Sequence, residues 1–181
     1  MSVQITYFVH GTTTDNEQGR STGWLHGDLS ELGIQQAKEL GKLMADTHFD
    51  AIFCSDLKRA VDSAKLGFGA TYQVIQDARL RECNYGDFNG LLVDELKDEE
   101  KHIRDAFLNG ESFNDVERRI SSFLEYLKRR YDGKHVAIVA HRFPQLALDV
   151  LLNGRTWEQA LDEDWRKTKE WKSGWEYQLS I

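Results

Sequence analysis

The chain has 181 residues, 40% of them apolar and 11% aromatic, enough for one sizeable core and too few for two ordinary domains. A formal net charge of −7 argues against nucleic acid as a partner, because a phosphate-backbone binder needs a basic face. No apolar run approaches the roughly 18 residues of a membrane span, and Met1-Ser2-Val3-Gln4 lacks the basic region of a signal peptide, so the expectation is a cytoplasmic protein with no membrane partner.

The first predicted element is a buried parallel strand over residues 1–10, a nearly continuous apolar run that delivers His10-Gly11. Ser30 is a plausible N-cap for a helix to about Ala45, with Leu32, Ala37, Leu40, Leu43 and Met44 as its apolar stripe. A strand over 51–55 passes into a helix predicted from Asp56 to about Leu66, with Arg59 in its first turn. A short strand at 73–76 precedes a loop bearing Arg81, Glu82, Gly86 and Gly90. The stretch 92–109 is helical by composition, and its acidic run from Asp94 to Glu100 reads as a solvated helix face. Ser112 with Asp115 resembles a capping box for a long helix whose Val116, Ile120, Leu124, Leu127 and Tyr131 recur at helical spacing.

The strand 135–141 then ends on His141, and Pro144 suits the first turn of the helix that follows. Trp157, Trp165, Trp171 and Trp175 lie in a charged tail where core or dimer packing is the expected role, and Trp175 to Ile181 alternates as a last strand. Strands alternating with helices give an α/β class with a parallel sheet. Gly67-Phe68-Gly69 follows a helix and is no dinucleotide loop, while Cys54 and Cys83 offer neither a disulfide framework nor a zinc spacing and read as reduced thiols.

In an open α/β sheet the ligand crevice lies beyond the carboxyl ends of the strands. His10 and His141 both stand there, so one imidazole can attack while the other steadies charge. Arg59 follows Ser55 by one helical turn, and amides at a helix start together with a guanidinium favour an anion. The inferred ligand is a phosphate.

His10-Gly11 with Thr13 and Asn16, Gly19-Arg20, Thr22-Gly23-Trp24, Leu29-Ser30-Glu31-Leu32-Gly33 with Gln36-Ala37, Ser55-Asp56-Leu57 with Arg59-Ala60, Leu80-Arg81-Glu82 with Gly86 and Gly90, Gly110-Glu111-Ser112, and His141 follow one another in a fixed order. That order resembles the histidine phosphatase (phosphoglycerate mutase-like) superfamily over nearly the whole chain. The resemblance implies a three-layer α/β fold, with a central mostly parallel sheet flanked by helices, as a single domain over 1–181 with a small helical lid at about 91–111. It also implies a metal-independent phosphatase that hydrolyses a small phosphomonoester through a phosphohistidine on His10. No cofactor is implied.

In this pattern His141 binds the transferring phosphoryl oxygens, helped by protonation near neutral pH. Glu82 protonates the leaving alkoxide and then activates water, the other reading of it being a loop carboxylate salt-bridged to Arg81. Arg59 is a phosphate ligand, and Asn16, Ser55, Thr22 and Gly23 are weaker candidates for phosphate or substrate binding, with capping or turn formation as the competing explanation. Trp24 and His26 are more readily explained by loop packing than by contact with the leaving group, and His48, His102 and His135 read as surface or helix-end histidines. The family opens its site with Arg-His-Gly where this chain has Val9-His10-Gly11; Arg142, His26 and Phe88-Asn89 are further departures. Arg142 is the candidate to restore the charge absent at Val9, provided that it turns towards the crevice. A phosphate-binding or regulatory protein without turnover is the alternative function. A mutase is less favoured in so compact a chain, and a metallohydrolase using His10, Asp15, Glu17, His26 and His141 is remote because these have no recognised ligand spacing. The expected partner is a small phosphorylated metabolite, and the expected state a monomer or homodimer.

Overall fold

Three runs of β-branched, small and aromatic residues form the middle of a sheet: β1 (Ser2–Val9), β2 (Ala51–Cys54) and β4 (His135–Ala140). Residues 2–96, 98–168 and 174–180 are described in the computed structural model. With β3 (Val74–Gln76) and β5 (Trp175–Ser180) the sheet has the order β3-β2-β4-β1-β5, all parallel except β5, which runs antiparallel to β1 along the edge. The last strand expected at Trp175 to Ile181 therefore holds through Ser180; Ile181, like Trp171, lies outside the described residues.

Period-two alternation sends the side chains to two faces, and helices cover both. Phe8, Ile52, Cys54, Ala137 and Val139 pack under α3 (Lys58–Phe68), against which α2 (Glu31–Leu43) lies. Ile5, Tyr7, Phe53, Val136 and Ile138 pack on the other face under α4 (Phe113–Arg130) and α5 (Arg142–Asn153). The result is the three-layer α/β arrangement, with a mostly parallel sheet between helices. Cys54 and Cys83 are buried free thiols.

Local chemistry explains most boundaries. Ser112 accepts from the Asp115 amide and Asp115 answers at the Ser112 amide, the capping box that opens α4. Pro144 falls within the first turn of α5, where its missing N–H costs nothing. The α3 helix starts at Lys58 rather than Asp56, because Leu57 is extended and the Asp56 carboxylate is held by Arg81. The segment 92–109 is not an α-helix: it forms 3-10 turns at Val93–Glu95 and Glu99–Ile103 separated by Asp98 in the left-handed region. Asp94 with Asp98 and Glu95 with Glu99 would stack like charges four residues apart on a helix, which disfavours it.

The apolar stripe of α2 also differs. Ala37 is buried and Leu40 and Met44 pack against the core as expected, but Leu32 and Leu43 are 54% and 53% exposed and Gly33 faces inward. Glycines decide this face, since a Cβ at Gly41 would stand 2.3 Å from the Gly67 carbonyl oxygen and one at Gly33 only 1.9 Å from that of Thr12. The second contact seats the loop after β1 against α2. Gly33→Ala should therefore destabilise the protein by about 1–3 kcal/mol in urea denaturation, since overpacking against backbone outweighs the ~1 kcal/mol helix-propensity gain; equal or higher stability would show that this loop gives way freely.

The tail forms α6 (Trp157–Asp162), the single turn α7 (Trp165–Thr168) and then β5. Trp157 packs beside Phe113 with ring centres 5.5 Å apart, the core role expected of it. Among the described residues no helix is long and apolar enough to cross a membrane.

Candidate active site

The parallel register pairs Val9 with Ala140, so the next residue on each strand, His10 and His141, leaves the sheet at the same height. Their ring centres lie 5.1 Å apart at 62°. His10 Nδ1 is 2.7 Å from the Gly11 carbonyl oxygen, which can only accept, so Nδ1 carries the proton and Nε2 presents its lone pair. Arg59 Nε donates to that nitrogen at 3.3 Å. Burial, and then the Arg59 charge, lowers the His10 pKa to about 3.

His141 is 0% exposed, and among the described residues neither of its ring nitrogens has a hydrogen-bond partner. Tyr7 fixes its backbone, the phenol donating to the His141 carbonyl at 2.7 Å and accepting from its amide at 2.9 Å. Burial, with Arg59 and His10 beside it, holds the His141 pKa well below the ordinary value. These surroundings favour the neutral form of both imidazoles, where protonation of His141 near neutral pH was the expectation. A buried base that refuses its proton in the folded state makes stability fall as pH drops below about 6.5, where the unfolded chain begins to bind protons that the folded one does not. The unfolding free energy should fall between pH 7 and pH 5, by at most about 1.4 kcal/mol per pH unit for each histidine, and a His141→Asn variant should lose less over the same range in urea denaturation; parallel curves would remove His141 as a cause.

Arg59 is 2% exposed. Besides His10 it donates to the Gly23 carbonyl at 2.7 Å and the Leu25 carbonyl at 2.9 Å. Gly23 has φ +54°, and a Cβ there would meet Asn89 Oδ1 at 1.8 Å, so this turn needs a glycine to bring its carbonyl to Arg59. Ser63, one turn along α3, was missed in the sequence; its hydroxyl accepts from the Gly11 amide at 3.0 Å and donates to the Arg59 carbonyl at 2.8 Å. Its only sequence signal is the four-residue spacing from Arg59.

The weaker ligand candidates each make a local hydrogen bond. Asn16 Oδ1 accepts from the Thr13 amide in the capping box of α1 (Thr14–Glu17), Thr22 donates to Asp15 at 2.8 Å, and Ser55 accepts from the Leu57 amide at 3.2 Å.

Glu82 is 5% exposed, and its Oε1 accepts from the amides of Cys83 and Phe143, both at 3.0 Å. Phe143 lies in the first turn of α5, directly after His141, so the carboxylate belongs to the same strand end. Arg81 is elsewhere engaged, in a bidentate pair with Asp56 and 4.7 Å from the centre of the Trp24 ring. The Glu82 backbone is fixed through its carbonyl, which accepts from Trp24 Nε1 at 2.7 Å and from Arg119 at 2.9 Å. Trp24 is thereby a loop-packing residue, and Arg119 a support that sequence reasoning did not find.

Arg142 does not join the site. Its guanidinium pairs closely with Asp164 and bidentately with Glu99 at 2.6 and 3.0 Å. The strand ends at Ala140 and position 142 opens α5, which turns the side chain towards the 3-10 turn of Glu99 and the start of α7. Glu99 is accordingly an ion-pair partner rather than part of a solvated helix face. A cavity of about 150 Å³ adjoins His10 and is lined by Val9, Ala37, Leu40, Trp165 and Trp175 among others. Among the described residues no group of three or more His, Cys, Asp or Glu side chains is arranged to hold a metal ion.

Two imidazoles thus meet at adjacent strand ends of a three-layer α/β fold, and a guanidinium donates to the lone pair of one of them. Residues 7–169 match the model of the histidine phosphatase superfamily (branch 1), and the chain belongs to that family. It is 32% identical over 163 residues to phosphoserine phosphatase 1 of Hydrogenobacter thermophilus, covering 84% of this chain and 77% of that one. It is 34% identical over 178 residues to the 2,3-bisphosphoglycerate-dependent phosphoglycerate mutase of Rhizobium meliloti, covering 89% and 84%. Among solved structures, a mycobacterial glucosyl-3-phosphoglycerate phosphatase complexed with VO3 superposes with a TM-score of 0.75 at 31% identity, over 87% of this chain and 86% of that one.

Proposed function

We propose that the protein is a metal-independent phosphatase hydrolysing a small phosphomonoester through a phosphohistidine on His10. The observation that carries this reading is the His10 tautomer: Nδ1–H is committed to Gly11, and the neutral Nε2 lone pair faces Arg59. In the first step Nε2 forms a bond to phosphorus while the P–O bond to the alcohol breaks, the leaving oxygen taking a proton from Glu82. Water then attacks phosphorus, returns a proton to Glu82 and releases phosphate with His10 neutral again. Arg59 holds the phosphoryl oxygens, and a bound phosphate reverses the field at His141, so that this imidazole takes a proton and binds the transferring group.

The residues 91–111 form a lid over this site in the same reading, with Arg142 as its anchor through Glu99. Phosphoserine and phosphoglycerate are the first substrates to try, since the names of similar proteins contain both. The test is a panel of phosphomonoesters with phosphate release as readout, combined with a base-stable, acid-labile phosphoenzyme on rapid quenching. Turnover with such an intermediate supports the proposal; phosphate binding without either would establish the non-catalytic alternative, which the apolar Val9 beside His10 favours.

A further inference from the structure

A phosphate dianion in this crevice is short of charge. His10 attacks as a neutral imidazole, so His141 is the one ring that can add a positive charge, the residue before His10 is Val9, and Arg59 shares its donors with two loop carbonyls. Arg142 is held by two carboxylates. Moving a doubly charged group to such a place demands more pairing than one guanidinium supplies.

Arg166 is the next cation along the chain, in the turn that brings Trp165 to the cavity beside His10. It is exposed and among the described residues makes no ion pair. Its position is set from two sides. Asp164 accepts from the Arg166 amide at 3.0 Å and pairs through its other oxygen with Arg142, the residue after His141, so α7 is tied to the strand end that carries His141. The neighbouring Trp165 lines the cavity that adjoins His10 and Val9, and the Arg166 guanidinium lies 5.6 Å from the centre of its ring. The charge of Arg166 also acts on groups from three separate elements, disfavouring the charged form of His10, His141 and Arg59 alike. Those three groups surround the crevice.

We propose that Arg166 is a second guanidinium ligand of the bound phosphoryl group, supplied from the tail of the chain and reaching over the crevice opposite Arg59. The inference rests on the phosphate-site reading above, and it gives the tail a part in binding. An exposed arginine on a pinned turn has the length and freedom to close on an anion, and its planar fork suits two phosphoryl oxygens.

Inorganic phosphate and orthovanadate titrated calorimetrically into the wild type, Arg166→Ala, Arg166→Lys and Lys167→Ala proteins test this without turnover. Arg166→Ala should weaken both anions by about ten- to a hundredfold, the worth of one charge-assisted contact. Arg166→Lys should recover part of that loss, because it keeps the charge without the fork, and Lys167→Ala should stay within about twofold. Unchanged affinity in Arg166→Ala overturns the proposal, and so does an equal loss in Lys167→Ala, which would mean only a diffuse field. Arg166→Met keeps the stem against Trp165 and takes the place of the alanine variant if that one melts lower than the wild type. Anion binding that depends on Arg166 in a protein without turnover would keep this ligand and overturn the hydrolysis reading; turnover with binding indifferent to Arg166 would do the reverse.

Discussion

His10→Ala should abolish hydrolysis of every phosphomonoester the protein accepts, by at least about 10³-fold, together with any phosphoenzyme on rapid quenching. The size of the effect follows from the tautomer. With Nδ1–H bonded to Gly11, Nε2 is the nitrogen available to phosphorus, and no other described nucleophile shares its position. Among the described residues the two His141 nitrogens have no partner, yet the ring is fully buried and its backbone is held by Tyr7, a place suited to receiving charge. His48→Ala and His102→Ala are the controls, expected within about twofold of wild type, since His48 is exposed and the His102 ring is occupied by the Asp105 carbonyl and by stacking on Phe107. Folding is not at stake in His10→Ala, because the ring's hydrogen-bonding partners are one neighbouring carbonyl and one arginine that has others. An active His10→Ala protein would end the phosphohistidine mechanism.

The strand ends were readable before the fold was. A parallel strand buried on both faces reads as a nearly continuous apolar run, so the polar residue that ends the run marks the rim of the sheet, and both His10 and His141 stand at such a break. The Ser112–Asp115 box was readable for the same reason: its chemistry is local. What failed was non-local or depended on a face. Helical spacing alone made Leu32 and Leu43 part of a buried stripe, whereas backbone approach at Gly33 and Gly41 decided the orientation of α2. The direction of Arg142 turned on whether the pleat continued past His141, and its partners Glu99 and Asp164 lie 43 and 22 residues away in the chain. Nothing short of the assembled fold links those three. Arg166 is in the same position, being one basic residue of a charged tail until Asp164 and Trp165 place it beside the crevice.

Glu82→Gln should lower turnover of alkyl phosphates such as phosphoserine by about 10²–10⁴-fold, and that of p-nitrophenyl phosphate far less. The substitution is close to isosteric, and the amide oxygen of glutamine can accept from the Cys83 and Phe143 amides as Oε1 does now. The loop stays held as well by Trp24 and Arg119 at the residue's carbonyl, so the change removes the transferable proton and little else. An alkoxide leaves poorly without that proton, whereas p-nitrophenolate is a stable anion and needs almost none. Rapid-quench measurements sharpen the comparison. With p-nitrophenyl phosphate the first step should remain fast in Glu82→Gln while the second slows, because water still needs a base, and phosphoenzyme should accumulate. Equal losses on both substrates with no accumulation would make Glu82 a residue that merely positions the start of α5, and the proton donor would have to be sought elsewhere along the rim.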